Sequence, residues 1–192
     1  FDELLKDGSK IELGNKMIPC LSKEHLLFYL CVHGAKHHWS LLYWILELAT
    51  LIKNTKYNWE NTLKSAISLG IERPFVQGML LVQQLFDIPI SNNIISYSKE
   101  DSQIQKLVDT SISVIYLRNP NQTRKKSINY YLRVLFYKMR LRKEFSYKLS
   151  YWKKISINDF DLIKLPQSLF FLYFWLRPFF WCWRYLLAPK TK

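Results

Sequence analysis

The sequence predicts a mainly α-helical, all-α fold, and three observations carry that expectation. Apolar residues recur every three to four positions along most of the chain, only five of the 192 residues are glycine, and the alternating Val/Ile/Thr runs that mark half-buried strands are scarce. Hydrophobic residues make up 49% of the chain, enough for a packed core, and the length suits one domain rather than two full-sized units.

The first helix starts at Ser22, followed by Lys23 and Glu24. Leu26, Leu27, Leu30, His33 and His37 then recur at helical spacing, with Gly34 inside the helix. A second helix over residues 41–52 places Leu42, Ile45, Leu46 and Ala49 on one stripe. Asn58 caps a third over residues 59–69, which Gly70 stops. Pro74 stands in the first turn of a fourth, where proline is tolerated, and this helix runs to about Phe86.

Pro89 and the polar residues 91–98 read as a connection. Ser98 with Asp101 then makes a start resembling a capping box for a helix over 99–117, ended by Asn119 and Pro120. Residues 123–145 read as a long basic helix whose apolar positions are Tyr130, Leu132, Leu135, Phe136 and Met139.

Residues 165–187 hold continuous apolar runs interrupted by Arg177 and Pro178, and three readings stand: a membrane span, an interfacial helix, or an apolar helix packed on protein. Two arginines and a proline count against the span, since a central Arg costs about 2.5–3.5 kcal/mol on insertion scales.

The expected organisation is one helical domain over residues 1–192. Residues 1–20 are the end of an upstream domain or a linker, 21–117 a helical bundle, and 118–192 a basic helix with an apolar C-terminal segment. The chain opens with Phe1, and residues 1–13 show no charged region followed by an apolar one, so it reads as part of a longer polypeptide.

The net charge of +13 is unevenly placed: residues 118–154 hold twelve Lys and Arg against the single acid Glu144. Such a block suits a phosphate-bearing partner, whether nucleotide, nucleic acid or anionic lipid, or is simply a solvated face. Cys20, Cys31 and Cys182 lack paired spacing and lie in apolar surroundings. Neither a disulfide framework nor a zinc site is suggested, and a reducing cytoplasm fits best.

The densest chemistry is His33-Gly34-Ala35-Lys36-His37-His38-Trp39. His33 and His37 share a helix face, but no carboxylate lies between them and Lys36 repels a metal ion, so the expectation is no metal site. Two readings fit the cluster equally: a cation flanked by imidazoles that meets phosphate or carboxylate oxygens, or a buried polar knot. No nucleophile, base and acid are arranged together, and no catalytic residue is assigned.

At this cluster the chain resembles the uncharacterised nucleotidyltransferases of bacteria. The residues that carry the likeness are Leu21-Ser22-Lys23-Glu24-His25, then Leu30-Cys31-Val32-His33-Gly34-Ala35-Lys36-His37-His38-Trp39, then Trp44-Ile45-Leu46-Glu47-Leu48-Ala49 and Asn58-Trp59. It continues through Gly70-Ile71-Glu72-Arg73, Gly78-Met79-Leu80-Leu81, Leu165-Pro166 and Leu172-Tyr173-Phe174-Trp175-Leu176-Arg177-Pro178, and so spans nearly the whole chain. Glu47 stands where the family usually has Asp, and His25 where Asp is common.

The resemblance implies the helical C-terminal half of a protein whose catalytic α/β half, similar to that of polymerase β, carries Gly-Ser and Asp-x-Asp motifs for Mg²⁺. Gly8-Ser9 and Asp159-Phe160-Asp161 lie about 150 residues apart in a helical context and do not form that motif. The implied reaction is transfer of a nucleoside monophosphate from a nucleoside triphosphate to an unknown hydroxyl, with Mg²⁺ needed by the complete protein and not bound by this chain alone. His33, Lys36, His37 and Arg73 are the expected substrate contacts, supported by Trp39 and Glu47; Arg73 reads equally well as a solvated helix residue.

Two other classes remain open. One is a nucleic-acid module whose basic block tracks phosphates while Tyr130, Tyr131, Tyr137, Tyr147 and Tyr151 stack on bases. The other is a peripheral, anionic-membrane-binding protein that joins the block to the aromatic segment 170–183.

Overall fold

A computed structural model describes Gly8, residues 10–117, 128–144 and 146–147, and positions 163, 166, 169, 170, 172, 173, 175, 176 and 179. The described residues are dominated by helices, as the sequence predicts. The chain divides into two compact units, one of residues 1–123 with 140–142, the other of residues 124–139 with 143–192.

The first unit opens with a hairpin absent from the sequence expectation: β1 (Lys10–Leu13) pairs antiparallel with β2 (Lys16–Pro19), Ile11 opposite Ile18 and Leu13 opposite Lys16. Gly14, at φ 61°, supplies the left-handed turn. Four-residue strands are too short for a period-two pattern to stand out in the sequence.

Six helices follow: α1 (Lys23–Lys36), α2 (Leu42–Lys53), α3 (Trp59–Ser68), α4 (Glu72–Phe86), α5 (Asn92–Glu100) and α6 (Ser102–Leu117). The expected caps of α1 and α3 are in place, Ser22 Oγ accepting from the His25 amide and Asn58 Oδ1 from that of Asn61. Helix α4 is the central element: Phe75, Val76, Gln77, Gly78, Met79, Leu81 and Val82 are all buried, and it packs against α1, α2, α3, α5 and α6. Gln77 is fully buried and satisfied, donating to the Leu107 carbonyl at 3.0 Å and the Ser111 hydroxyl at 2.9 Å, which ties α4 to α6.

Two expectations need correction. Residues 91–98 are not a connection: residues 92–100 form α5, a short helix with Ile94 as its one buried residue, too little apolar periodicity to read from sequence. The following helix starts at Ser102 rather than 99. Asp101, not Ser98, serves its start, accepting from the Gln103 amide at 3.1 Å, while the Ser98 hydroxyl turns back to the Ile95 carbonyl.

The basic helix is α7 (Ile128–Arg140), which belongs to the second unit as far as Met139 and is shorter than the expected 123–145: residues 141–144 are not helical, and 123–127 and 145 lie outside the described residues. Tyr137 is buried, so it is not available for base stacking; Phe136 is exposed. Tyr173 is buried too, its hydroxyl donating to the Ile163 carbonyl and its ring edge-on to Phe170. Most of residues 165–187 lies outside the described residues, and among those described no helix is long and apolar enough to cross a membrane.

Candidate functional site

The His/Lys cluster occupies the last turn of α1 and the stop that follows. His37 caps the helix, and the chain then turns left-handed at His38 (φ 60°) and Trp39 (φ 51°). The Trp39 amide donates to the Gly34 carbonyl at 2.8 Å and the His38 amide to that of Ala35 at 3.0 Å, so carbonyls left over at the helix end are satisfied. Glycine is the usual residue for such a stop. Here a histidine and a tryptophan adopt the strained conformation, which persists only where the surroundings dictate it.

The surroundings are a socket for the Trp39 ring. Trp39 is wholly buried, and the absence of a Cβ at Gly34 makes the room: a methyl there would lie 2.6 Å from Cη2 and closer still to Cζ3. From α4, Gly78 borders the same space; its Cβ would meet Leu48 at 3.0 Å, the Cys31 sulfur at 3.1 Å and Trp39 Cζ2 at 3.2 Å. Trp39 is thus the anchor that fixes how α1 ends, and the supporting role expected of it is structural. Its indole Nε1 is buried without a hydrogen-bond partner.

Above this anchor the rings form a contiguous surface. His33 and His37 lie 4.9 Å apart between centroids, and Trp44 of α2 meets both, edge-on to His33 at 5.2 Å and tilted to His37 at 5.4 Å. His33 is half-buried, while Lys36 and His37 are exposed. Helix α1 ends its macrodipole here, so a cation in this turn is favoured by the negative end as well as by solvent.

Glu47 lines a neighbouring open groove of about 590 Å³ between α1 and α2, together with Leu26, Leu30, Tyr43 and Leu46. Its carboxylate accepts from the Tyr43 hydroxyl one turn earlier, which raises the phenol above its ordinary range.

Arg73 is engaged within the fold. Its Nε and Nη2 donate to the two Asp101 carboxylate oxygens at 2.7 and 3.2 Å, and Nη1 donates to the Arg140 carbonyl at 2.8 Å with a longer approach, 3.5 Å, to that of Arg142. The structure therefore brings His33, Lys36 and His37 together on one turn and uses Arg73 to join α4 to the start of α6. Tyr29, stacked on His33 at 5.6 Å and 26°, belongs to the surface and was missed by the sequence reading. Its position four residues before His33 was the available signal.

The Mg²⁺ of the family resemblance needs oxygen donors in a near-octahedral set. This surface offers imidazoles, an ammonium and a carboxylate tied to Tyr43, and among the described residues no three His, Cys, Asp or Glu converge. The surface does not fit Mg²⁺. Asp159, Phe160 and Asp161 lie outside the described residues.

Residues 1–87 match the model of a family described as uncharacterised nucleotidyltransferase. The match takes in the cluster, α2, α3 and α4 and stops short of the motifs at 165–178. No curated protein and no solved structure matches the chain.

Proposed function

We propose, from the premise that residues 1–87 are those of the uncharacterised nucleotidyltransferase family and relate this chain to nucleotidyl transfer, that the last turn of α1 is a substrate-facing wall for a nucleoside triphosphate. The observation that carries this reading is the exposed Lys36 on the same last turn as the paired rings of His33 and His37, at a helix end whose shape is locked by Trp39. An ammonium and imidazole N–H groups donate to phosphate oxygens, and charge-assisted bonds of this kind are about twice as strong as neutral ones.

In this role Lys36 carries the charge contact and His33 and His37 add directional hydrogen bonds. Glu47 orients Tyr43 on the groove wall, and Arg73 supports the fold rather than the ligand. The reaction of the complete protein would be transfer of a nucleoside monophosphate to a hydroxyl, with Mg²⁺ held on a catalytic half that supplies the Gly-Ser and Asp-x-Asp motifs. This chain would then supply binding and orientation and be inactive alone.

The test is calorimetric titration of the chain with ATP, CTP, GTP and UTP in the presence of Mg²⁺, repeated on Lys36→Ala. Saturable binding that weakens about tenfold or more in the variant is expected, the loss typical of a hydrogen bond to a charged group. Absence of binding, or binding indifferent to the substitution, would overturn the reading.

A further inference from the structure

We infer that Tyr29, His33 and His37 form an aromatic ladder that takes the planar base of the nucleotide, with Tyr29 as the open rung. The inference rests on the reading of the α1 terminus as a nucleotide wall and assigns the part of the ligand that Lys36 cannot address. Residues 29, 33 and 37 are spaced by one turn each and rise along one side of α1.

The ring geometry supports the assignment. Tyr29 lies nearly parallel to His33, 26° between planes at 5.6 Å, whereas His33 and His37 are tilted by 51° at 4.9 Å and Trp44 closes the inner side edge-on to His33. The inner rungs are thus occupied by one another, and the end rung is not: Tyr29 is 55% exposed although one of its faces lies against His33. A large aromatic ring held parallel to a neighbour with its remaining face in solvent is a stacking platform, and every base has a π-face to place on it.

Lys36 follows Tyr29 by two turns, so both project from the same flank of the helix. The separation is about 10 Å along the axis, at 1.5 Å per residue, which suits a base at one end and phosphates at the other. Packing between the rings alone would account for His33, His37 and Trp44. It does not account for an exposed tyrosine stacked at the end of the series.

The experiment compares ATP, adenosine and inorganic tripolyphosphate on the full chain, on Tyr29→Ala and on Tyr29→Phe, by calorimetry. Tyr29 is exposed, so both variants keep the fold, and circular dichroism verifies it. ATP and adenosine are expected to weaken about tenfold on Tyr29→Ala, the scale of one base stack, and to be retained on Tyr29→Phe, with tripolyphosphate unchanged by either substitution.

Equal affinity for ATP and tripolyphosphate, or ATP binding unaffected by Tyr29→Ala, would overturn the ladder and leave the phosphate wall standing. Adenosine binding that depends on Tyr29 without any tripolyphosphate binding would support the ladder and remove the phosphate role. No binding of any of the three would remove both.

Discussion

The ring of Trp39 occupies the place where a side chain at Gly34 would begin, while its amide donates to the Gly34 carbonyl at 2.8 Å. Two residues five apart thus define the helix end that carries His33, Lys36 and His37. Alanine in a helix interior is normally better than glycine by about 1 kcal/mol, so Gly34→Ala would stabilise a simple helix. Here the methyl must displace a fully buried indole ring, and overpacking of this kind costs about 1–3 kcal/mol. Urea unfolding should show a net loss, larger than for Gly78→Ala, whose nearest contacts start at 3.0 Å; a Gly34→Ala chain as stable as the parent would remove the socket argument.

Asp87 ends α4 in the left-handed region, at φ 52°, with its amide on the Gln83 carbonyl. An exposed carboxylate there opposes the negative end of the helix dipole. Asn keeps the shape, tolerates the left-handed conformation and drops the charge. Asp87→Asn should therefore raise stability by about 0.3–1 kcal/mol at low ionic strength, and the gain should shrink with added salt. A gain independent of salt would point away from the dipole.

How much of this was readable beforehand depended on how local the information was. The caps at Ser22 and Asn58 and the shared face of His33 and His37 are short-range relationships, and they stand in the structure. The engagement of Arg73 was not readable, because its partner Asp101 lies 28 positions away and is brought to it only by the packing of α4 against α5 and α6. Gly34 and Trp39 were both visible in the motif. What was missing was that one makes space for the other, which depends on the left-handed turn at His38. Helix α5 and the hairpin escaped for a different reason: each buries too little to impose a pattern on its sequence.

The Arg73–Asp101 pair should behave as a buried structural bridge. Its side chains are only 11% and 12% exposed, so removing the cation strands a carboxylate away from water, at a cost of about 3–5 kcal/mol. Arg73→Met should lose stability on that scale, and Arg73→Lys less, since a lysine keeps the charge but cannot reproduce the forked contact. Both variants, where folded, should bind nucleotide as the parent does. A selective loss of nucleotide affinity in a fully stable Arg73→Lys chain would return Arg73 to the ligand.

Cys31 is fully buried between Gly78 and the helix core, and burial pushes its thiol far above the ordinary range. The folded state therefore holds the proton where the unfolded chain releases it, near pH 8.5. Below that pH the two states bind the same proton and Cys31 contributes no slope. Above it the unfolded state binds fewer protons, so stability should fall progressively as pH rises. Urea unfolding of the parent between pH 7 and 10 should show this slope, and Cys31→Ala, although less stable overall, should show a flatter one. The same burial predicts that iodoacetamide labels the half-buried Cys20 in the native chain and reaches Cys31 only on unfolding. Native labelling of Cys31 at a rate matching Cys20, read by mass spectrometry of the peptides, would mean that the Trp39 socket opens far more readily than its packing implies.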